Sequence, residues 1–152
     1  MTIVTTMKRK LIYIIGMALS FVACETESSN NGDLDGMWQL RHVDTLSTGH
    51  SRDMRQSYVV WAFEGTILEV RIADSSMPSD DIIFRFSREG DSLKLHSPFF
   101  SDRAHGDIKV ENADELSKFG INELEEGFKM IELSSERMQL QSNILRLQFR
   151  KY

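Results

Sequence analysis

Apolar and polar residues alternate with a period of two from Gly36 onward, and this rhythm limits the fold more than any other feature of the sequence. The clearest case lies near the C-terminus, where Leu145, Leu147 and Phe149 alternate with arginine and glutamine. A strand with one apolar and one charged face is typical of a sheet with one side in water, which favours antiparallel pairing. The sequence therefore predicts an all-β, antiparallel domain.

Short breaks that contain glycine or serine separate the alternating runs and predict hairpin turns, as at Gly65 and Gly90. The eight predicted strands are residues 37–45, 57–64, 66–73, 82–88, 92–97, 128–133, 137–142 and 144–151. A ninth short strand near 107–111 also fits the pattern. The polar segments 47–56 and 97–106 are expected to be loops, which often carry recognition residues.

One helical signal interrupts the strands. Asn112 is a favourable N-cap residue with Glu115 three positions later, and Gly120 is suited to end a helix in the left-handed conformation. We therefore expect a single short helix that contains Leu116 and Phe119.

Eight short antiparallel strands either close into an up-and-down barrel or form a flattened β-sandwich, and the alternation fits both. We predict the eight-stranded barrel, because closure removes exposed edges and sequential hairpins are the simplest connection. The predicted interior is bulky and apolar, and consists of Trp38, Leu40, Val59, Trp61, Phe63, Leu68, Val70, Ile72, Phe84, Phe86, Leu93, Leu95, Leu133, Met138, Leu140, Leu147 and Phe149.

Both ends of this domain resemble small lipocalin-like bacterial lipoproteins. Residues 34–40 (LDGMWQL) are similar to the family's L-x-G-x-W-x-L opening, and residues 132–140 and 147–151 are similar to its close. The middle, roughly 44–112, is similar in strand rhythm alone. The resemblance implies a calycin-like barrel in which Trp38 plugs one end. It implies no particular ligand, since most members of the family are uncharacterised.

Residues 1–23 have the parts of a secretory signal, with a cationic cluster at 8–10 followed by the apolar run 11–22. Twelve residues at about 1.5 Å each reach about 18 Å, which is short of the ~30 Å hydrocarbon core of a bilayer. We therefore expect a cleaved signal rather than a permanent membrane helix. Either Met1 or Met7, directly before the cluster, is the true start.

Residues 21–24 (FVAC) resemble the lipobox of bacterial lipoproteins, which implies that Cys24 becomes the lipidated first residue after cleavage. The alternative is a plain signal peptide with an incidental cysteine. Residues 24–33 are expected to form a flexible polar linker. The lipocalin-like β-barrel domain would then span residues 34–152.

The expected location is the envelope of a Gram-negative bacterium. The outer membrane is favoured, on either its periplasmic face or the cell surface. Glu25 and Glu27 are similar to the acidic residues that follow the cysteine in surface-displayed lipoproteins, although an ordinary polar spacer explains them equally well.

The charge balance gives no indication of a basic nucleic-acid-binding surface. The chain carries 18 Lys and Arg against 23 Asp and Glu, a net charge of -5, which becomes -8 when the three cations of residues 1–23 are removed.

No histidine pair has ligand spacing, and with one cysteine no zinc pattern can be built. Nucleophile-elbow and phosphate-loop motifs are absent as well. We therefore expect no catalytic residues, no metal and no cofactor.

Binding is the function that the predicted barrel favours, because eight strands enclose either their own side chains or one small ligand. For a small apolar or amphipathic ligand at one barrel end, the candidate contacts are Trp61, Phe84 and Phe86 on the strands and Arg52 and Arg103 in the loops. The arginines would meet an anionic headgroup. The alternative is a solid barrel that acts as an accessory subunit and binds an envelope protein.

Overall fold

The computed structural model describes residues 31–74, 76, 81–102 and 106–152. These residues contain ten strands and two 3-10 segments. The strands are β1 (Gly36–Thr45), β2 (Ser51–Asp53), β3 (Val59–Glu64), β4 (Ile67–Ile72), β5 (Ile82–Glu89), β6 (Ser92–Phe100), β7 (Ile108–Lys109), β8 (Glu126–Leu133), β9 (Arg137–Gln141) and β10 (Leu145–Lys151). The predicted signal, Cys24 and Arg103 lie outside these residues.

Eight strands form a closed antiparallel ring in the order β1, β3, β4, β5, β6, β8, β9 and β10. The ring closes because β10 pairs with β1 along its length, from Trp38 opposite Lys151 to Thr45 opposite Leu145. The two remaining strands are additions: β2 pairs with β1 beyond the end of β3, and β7 pairs with β6. The predicted up-and-down barrel is confirmed, and the flattened sandwich is not formed.

The two segments expected to be loops are partly strands. Residues 51–53 form β2, whose three side chains are all exposed, so its sequence carries no alternation that would predict it. The sixth strand continues through Ser97, whose φ of 54° interrupts the two-residue rhythm. Conversely, β3 begins two residues later than predicted, because Tyr58 has a φ of 51°. The ninth predicted strand is confirmed as β7.

The predicted helix is present as a 3-10 helix (Ala113–Phe119). Asn112 caps it by accepting a hydrogen bond from the Asp114 N–H at 3.0 Å. Gly120 ends it at a φ of 84°, where a Cβ atom would lie only 2.9 Å from Cδ2 of Leu147. Glycine is therefore required for the end of the helix to approach the barrel wall.

Interior side chains form one continuous apolar cluster, and every predicted interior residue belongs to it or packs against it. Trp61 occupies the centre: its ring lies 5.9 Å from that of Phe128 and 5.0 Å from that of Phe149, between centroids. The strands β3 and β8 stand opposite each other in the ring, so the Trp61–Phe128 contact spans the barrel. The interior at this level is filled by the protein itself.

The two ends of the barrel are built differently. The base is the end formed by Leu34 and the β3–β4 turn at Gly65, and the mouth is the opposite end, which carries β2 and the 3-10 helix. At the base the Trp38 Nε1–H donates to the Leu34 carbonyl at 2.7 Å, and the ammonium group of Lys151 lies 4.9 Å from the Trp38 ring centroid. Trp38 is therefore in the plugging position that the family resemblance implies.

Candidate functional site

The three aromatic residues predicted to contact a ligand all lie within the packed core. Trp61 and Phe84 are fully buried and Phe86 nearly so. The Trp61 Nε1–H donates to the Phe119 carbonyl at 3.1 Å, which fixes the indole to the end of the 3-10 helix. The ring of Phe86 packs edge-on against Phe63, 5.2 Å between centroids. Their role as ligand contacts stays a prediction, and it requires these packing contacts to open.

Arg52 is the predicted site residue that the structure places on an accessible surface, in the middle of β2 at the mouth. It borders a groove of about 510 Å³ between β2 and the 3-10 helix. This mouth groove is lined by Val43, Thr45, His50, Arg52, Ser117, Lys118, Asn122 and Leu145. Val43 and Leu145 supply its apolar floor.

A second, smaller groove of about 250 Å³ adjoins the first. This side groove is lined by Arg52, Asp53, Met54, Ser57, Val59, Ile72 and Lys118. Met54 and Val59 are buried members of the core, so its floor is also apolar. Arg52 and Lys118 line both grooves and therefore stand between two apolar floors.

The charged side chains that line the mouth groove are basic. Within the described part of the chain, neither Arg52 nor Lys118 forms an ion pair with a carboxylate. The ammonium group of Lys118 lies 5.1 Å from the Phe119 ring centroid. The mouth groove itself is lined by no aspartate or glutamate among these residues.

Asp53, the carboxylate of the side groove, is already neutralised. The Arg55 guanidinium donates from Nε to both of its oxygens, at 3.0 and 2.8 Å. These hydrogen bonds hold the pKa of Asp53 well below its usual range and raise the pKa of Arg55 above its own. Asp53 is therefore not available to pair with Arg52.

Asn122 follows the 3-10 helix and lines the mouth groove. Its backbone N–H donates to Oε2 of the buried Glu126 at 2.6 Å, which holds the turn in place. Its side-chain Nδ2 is buried and has no acceptor among the described residues. Such a group is rare in native structures.

Sequence reasoning missed Lys118 and Asn122 as site residues. Lys118 belongs to a helix whose capping residues the sequence predicts. Its neighbours in the sequence do not indicate, however, that it shares a groove with Arg52. Asn122 lies in a polar turn, and no sequence motif there predicts a binding residue.

A further concavity of about 680 Å³, the base groove, lies on the outer face of β1, β3 and β4. It is lined by Asp35, Gly36, Met37, Ala62, Phe63, Glu64, Ile67, Glu69 and Arg71. Arg71 is paired with Glu69, so this groove has acidic and apolar character rather than free cations.

Among the described residues no group of three or more His, Cys, Asp or Glu side chains is placed to hold a metal ion. No helix in those same ranges is long and apolar enough to cross a bilayer. The mouth offers two cations between apolar floors.

Comparison with known proteins gives the same fold. A lipocalin-like protein from Bacteroides uniformis ATCC 8492 superimposes with a TM-score of 0.62 at 21% identity, over 80% of this chain and 100% of that one. An uncharacterized protein from Bacteroides eggerthii DSM 20697 gives 0.59 at 17% identity, over 78% and 98%. No curated protein matches the chain. The family model for the lipocalin-like domain matches residues 17–152, and the chain therefore belongs to the lipocalin-like domain family.

Proposed function

We propose that this protein is a lipid-anchored binding protein of the bacterial cell envelope that takes up a small amphipathic molecule at the barrel mouth. The observation that carries the proposal is the position of Arg52 and Lys118 between two apolar-floored grooves. A molecule with one polar group and an apolar body would satisfy both features at once.

The mouth is favoured over the interior because Trp61 closes the barrel axis. Its ring contacts Phe128 on the opposite strand, and its N–H is held by the Phe119 carbonyl. A ligand in the interior would have to displace these contacts and the aromatic packing around them. A ligand at the mouth displaces only solvent.

Several observations support a non-enzymatic role. Lipocalin-like domains are typically binding proteins. The mouth groove combines Arg52 and Lys118 with His50, two hydroxyl groups and one amide over an apolar floor, a lining that suits an amphipathic ligand.

Anchoring through Cys24 is supported by the lipobox resemblance and by the point at which the chain leaves the barrel. Asn31 is held at the base, where its Nδ2 donates to the Gly65 carbonyl at 2.7 Å and its carbonyl accepts from Nη1 of Arg88 at 2.8 Å. The seven steps from residue 24 to 31 span at most about 25 Å. The base would then lie nearest the membrane, and the mouth would face away from it.

Native mass spectrometry of the protein purified from its own envelope tests the binding proposal. We expect a co-purifying amphiphile in the wild type and its loss in Ser117→Trp, which fills the mouth groove without changing a charge. Ser135→Trp, at the exposed β8–β9 turn of the base, is the matched control and should keep the amphiphile. Equal retention by both variants would contradict the proposal.

A second function, docking to an envelope protein, is favoured by the filled barrel and by the base groove. Met37 and Ile67 are exposed there, 37% and 42%, on the outside of the sheet. Under this alternative, pull-down from solubilised envelope returns a stoichiometric protein and the purified protein carries no small molecule.

A further inference from the structure

We infer that the polar group of the ligand is a single anion, bound between Arg52 of β2 and Lys118 of the 3-10 helix, and that its binding ties these two elements together. The inference rests on the proposed function and names the chemical class of ligand for the same site.

The side chains of the mouth groove select for negative charge. Its ionisable members are His50, Arg52 and Lys118, and its remaining polar members are two hydroxyl residues and Asn122. Guanidinium and ammonium groups donate hydrogen bonds and accept none. A cationic headgroup would be repelled and a neutral one offers only uncharged acceptors, whereas a phosphate or carboxylate forms charge-assisted hydrogen bonds with both Arg52 and Lys118.

Arg52 and Lys118 line the same groove, and no described carboxylate lines it with them. The chain has an excess of acids, with 23 Asp and Glu against 18 Lys and Arg. Elsewhere on the surface, Arg71 pairs with Glu69 and Lys129 with Asp91. At the mouth the adjacent carboxylate, Asp53, is instead held by Arg55. The charge of Asp53 is thus balanced by Arg55 rather than by Arg52, and Arg52 remains available to an incoming anion.

The apolar floors indicate that the anion carries a hydrocarbon part. Val43 and Leu145 lie on one side of the cation pair, and Met54, Val59 and Ile72 on the other. Free inorganic phosphate would use the cations and leave these surfaces in contact with water. An alkyl phosphate or alkyl carboxylate would cover at least one of them.

Arg52 and Lys118 belong to two elements, β2 and the 3-10 helix, that pack on the barrel through different contacts. The strand β2 is a three-residue strand paired with β1, from His42 opposite Asp53 to Asp44 opposite Ser51. The 3-10 helix is held from inside, through buried Leu116 and Phe119. An anion bound to Arg52 and Lys118 together would connect them across the groove, so both should become less mobile when it binds.

The test uses the full lipidated protein in phosphatidylcholine nanodiscs, with empty nanodiscs as the partition control. Calorimetric titrations compare hexyl phosphate, neutral hexyl glucoside and inorganic phosphate. We expect hexyl phosphate to bind at least about tenfold more tightly than either of the other probes. We also expect Arg52→Gln and Lys118→Gln each to weaken its binding about tenfold, as removal of one charge-assisted contact implies.

Arg150→Gln and Lys129→Gln are the matched controls, because both residues are exposed and lie outside the grooves. Both should bind hexyl phosphate like the wild type. Hydrogen exchange supplies a second measurement: hexyl phosphate should slow amide exchange in residues 51–53 and 113–120 of the wild type and in neither groove variant. A merely structural role for Arg52 or Lys118 would not produce this ligand-dependent protection.

Each outcome separates the two proposals. If hexyl glucoside binds as tightly as hexyl phosphate and Arg52→Gln has no effect, the anion inference is overturned while uptake of an amphiphile stands. If inorganic phosphate binds as tightly as hexyl phosphate, the anion site stands without its hydrocarbon part and the proposed function fails. If no probe binds, the inference is overturned, and the envelope mass spectrometry decides the proposed function independently.

Discussion

Trp61 on β3 and Phe128 on β8 meet edge to face across the barrel, with ring centroids 5.9 Å apart and planes inclined at 78°. Edge-to-face packing at this separation is the favourable geometry for two aromatic rings. Because their strands are on opposite sides of the ring, this one contact closes the axis that many binding barrels leave open. The ligand site that we propose therefore lies at the mouth, where the 3-10 helix and β2 form the grooves.

Trp61→Ala should be among the most destabilising single substitutions. It removes a fully buried indole and leaves a cavity at the barrel centre, which we expect to lower the free energy of unfolding by about 3–5 kcal/mol. Denaturant titration followed by circular dichroism measures the change. The exposed aromatic residue Tyr152 is the control, and Tyr152→Ala should cost less than about 0.5 kcal/mol. A loss below 1 kcal/mol for Trp61→Ala would mean that the barrel centre is not packed as described.

Gly120→Ala should destabilise the fold by about 1–3 kcal/mol. Its φ of 84° disfavours any side chain, and the added methyl group would lie 2.9 Å from Leu147 Cδ2. Gly127→Ala is the control, since that glycine has no positive φ and a Cβ there has no heavy atom within 4 Å. Equal melting temperatures for the two variants would contradict the account of the helix end.

Arg55→Gln should return the pKa of Asp53 toward the ordinary aspartate range. In the wild type the hydrogen bonds from Arg55 lower that pKa, so the native state favours the ionised carboxylate and loses this contribution only as the pH falls through the lowered pKa. NMR titration of the Asp53 carboxyl carbon measures it. Both side chains are exposed, so we expect little change in unfolding free energy.

The same substitution affects the mouth. With Arg55 removed, the Asp53 carboxylate is uncompensated at the edge of the side groove. We expect hexyl phosphate to bind about threefold more weakly, the effect of one screened like charge. Unchanged affinity would show that the anion does not lie near Asp53.

Cys24→Ala should move the protein from the membrane fraction to the soluble fraction. Lipid attachment requires the thiol, and several acyl chains hold a protein on a bilayer far more firmly than one. Fractionation with a palmitate label measures both attachment and location. Labelled protein in the alanine variant would contradict anchoring at this residue.

Most strands of the barrel could be predicted from local sequence. Each has one face toward the core and one toward water, so apolar and polar residues alternate along it. Leu147 and Phe149 follow this rule, and both are buried where the rhythm predicts. The strand β2 could not be predicted in this way, because all three of its side chains are exposed and its backbone partners are supplied by β1. Ser97 likewise breaks the alternation inside β6 by its backbone conformation.

The candidate site was harder to predict than the fold. Arg52 was identified as a loop cation, but its partner Lys118 lies 66 positions further along the chain. No sequence spacing indicates that β2 and the 3-10 helix border the same groove, because closure of the ring brings them together. The same closure makes Trp61 a central packing residue.

The indole N–H resonance of Trp61 tests most directly whether recognition occurs at the mouth of a filled barrel. On titration of the full protein with hexyl phosphate, amide shifts should concentrate in residues 50–53 and 117–122, while the Trp61 indole signal keeps its position and its bond to Phe119. The Trp38 indole, at the base, is the internal reference. A large shift or loss of the Trp61 signal, with the mouth amides unchanged, would place the ligand inside the barrel and contradict this mode of binding.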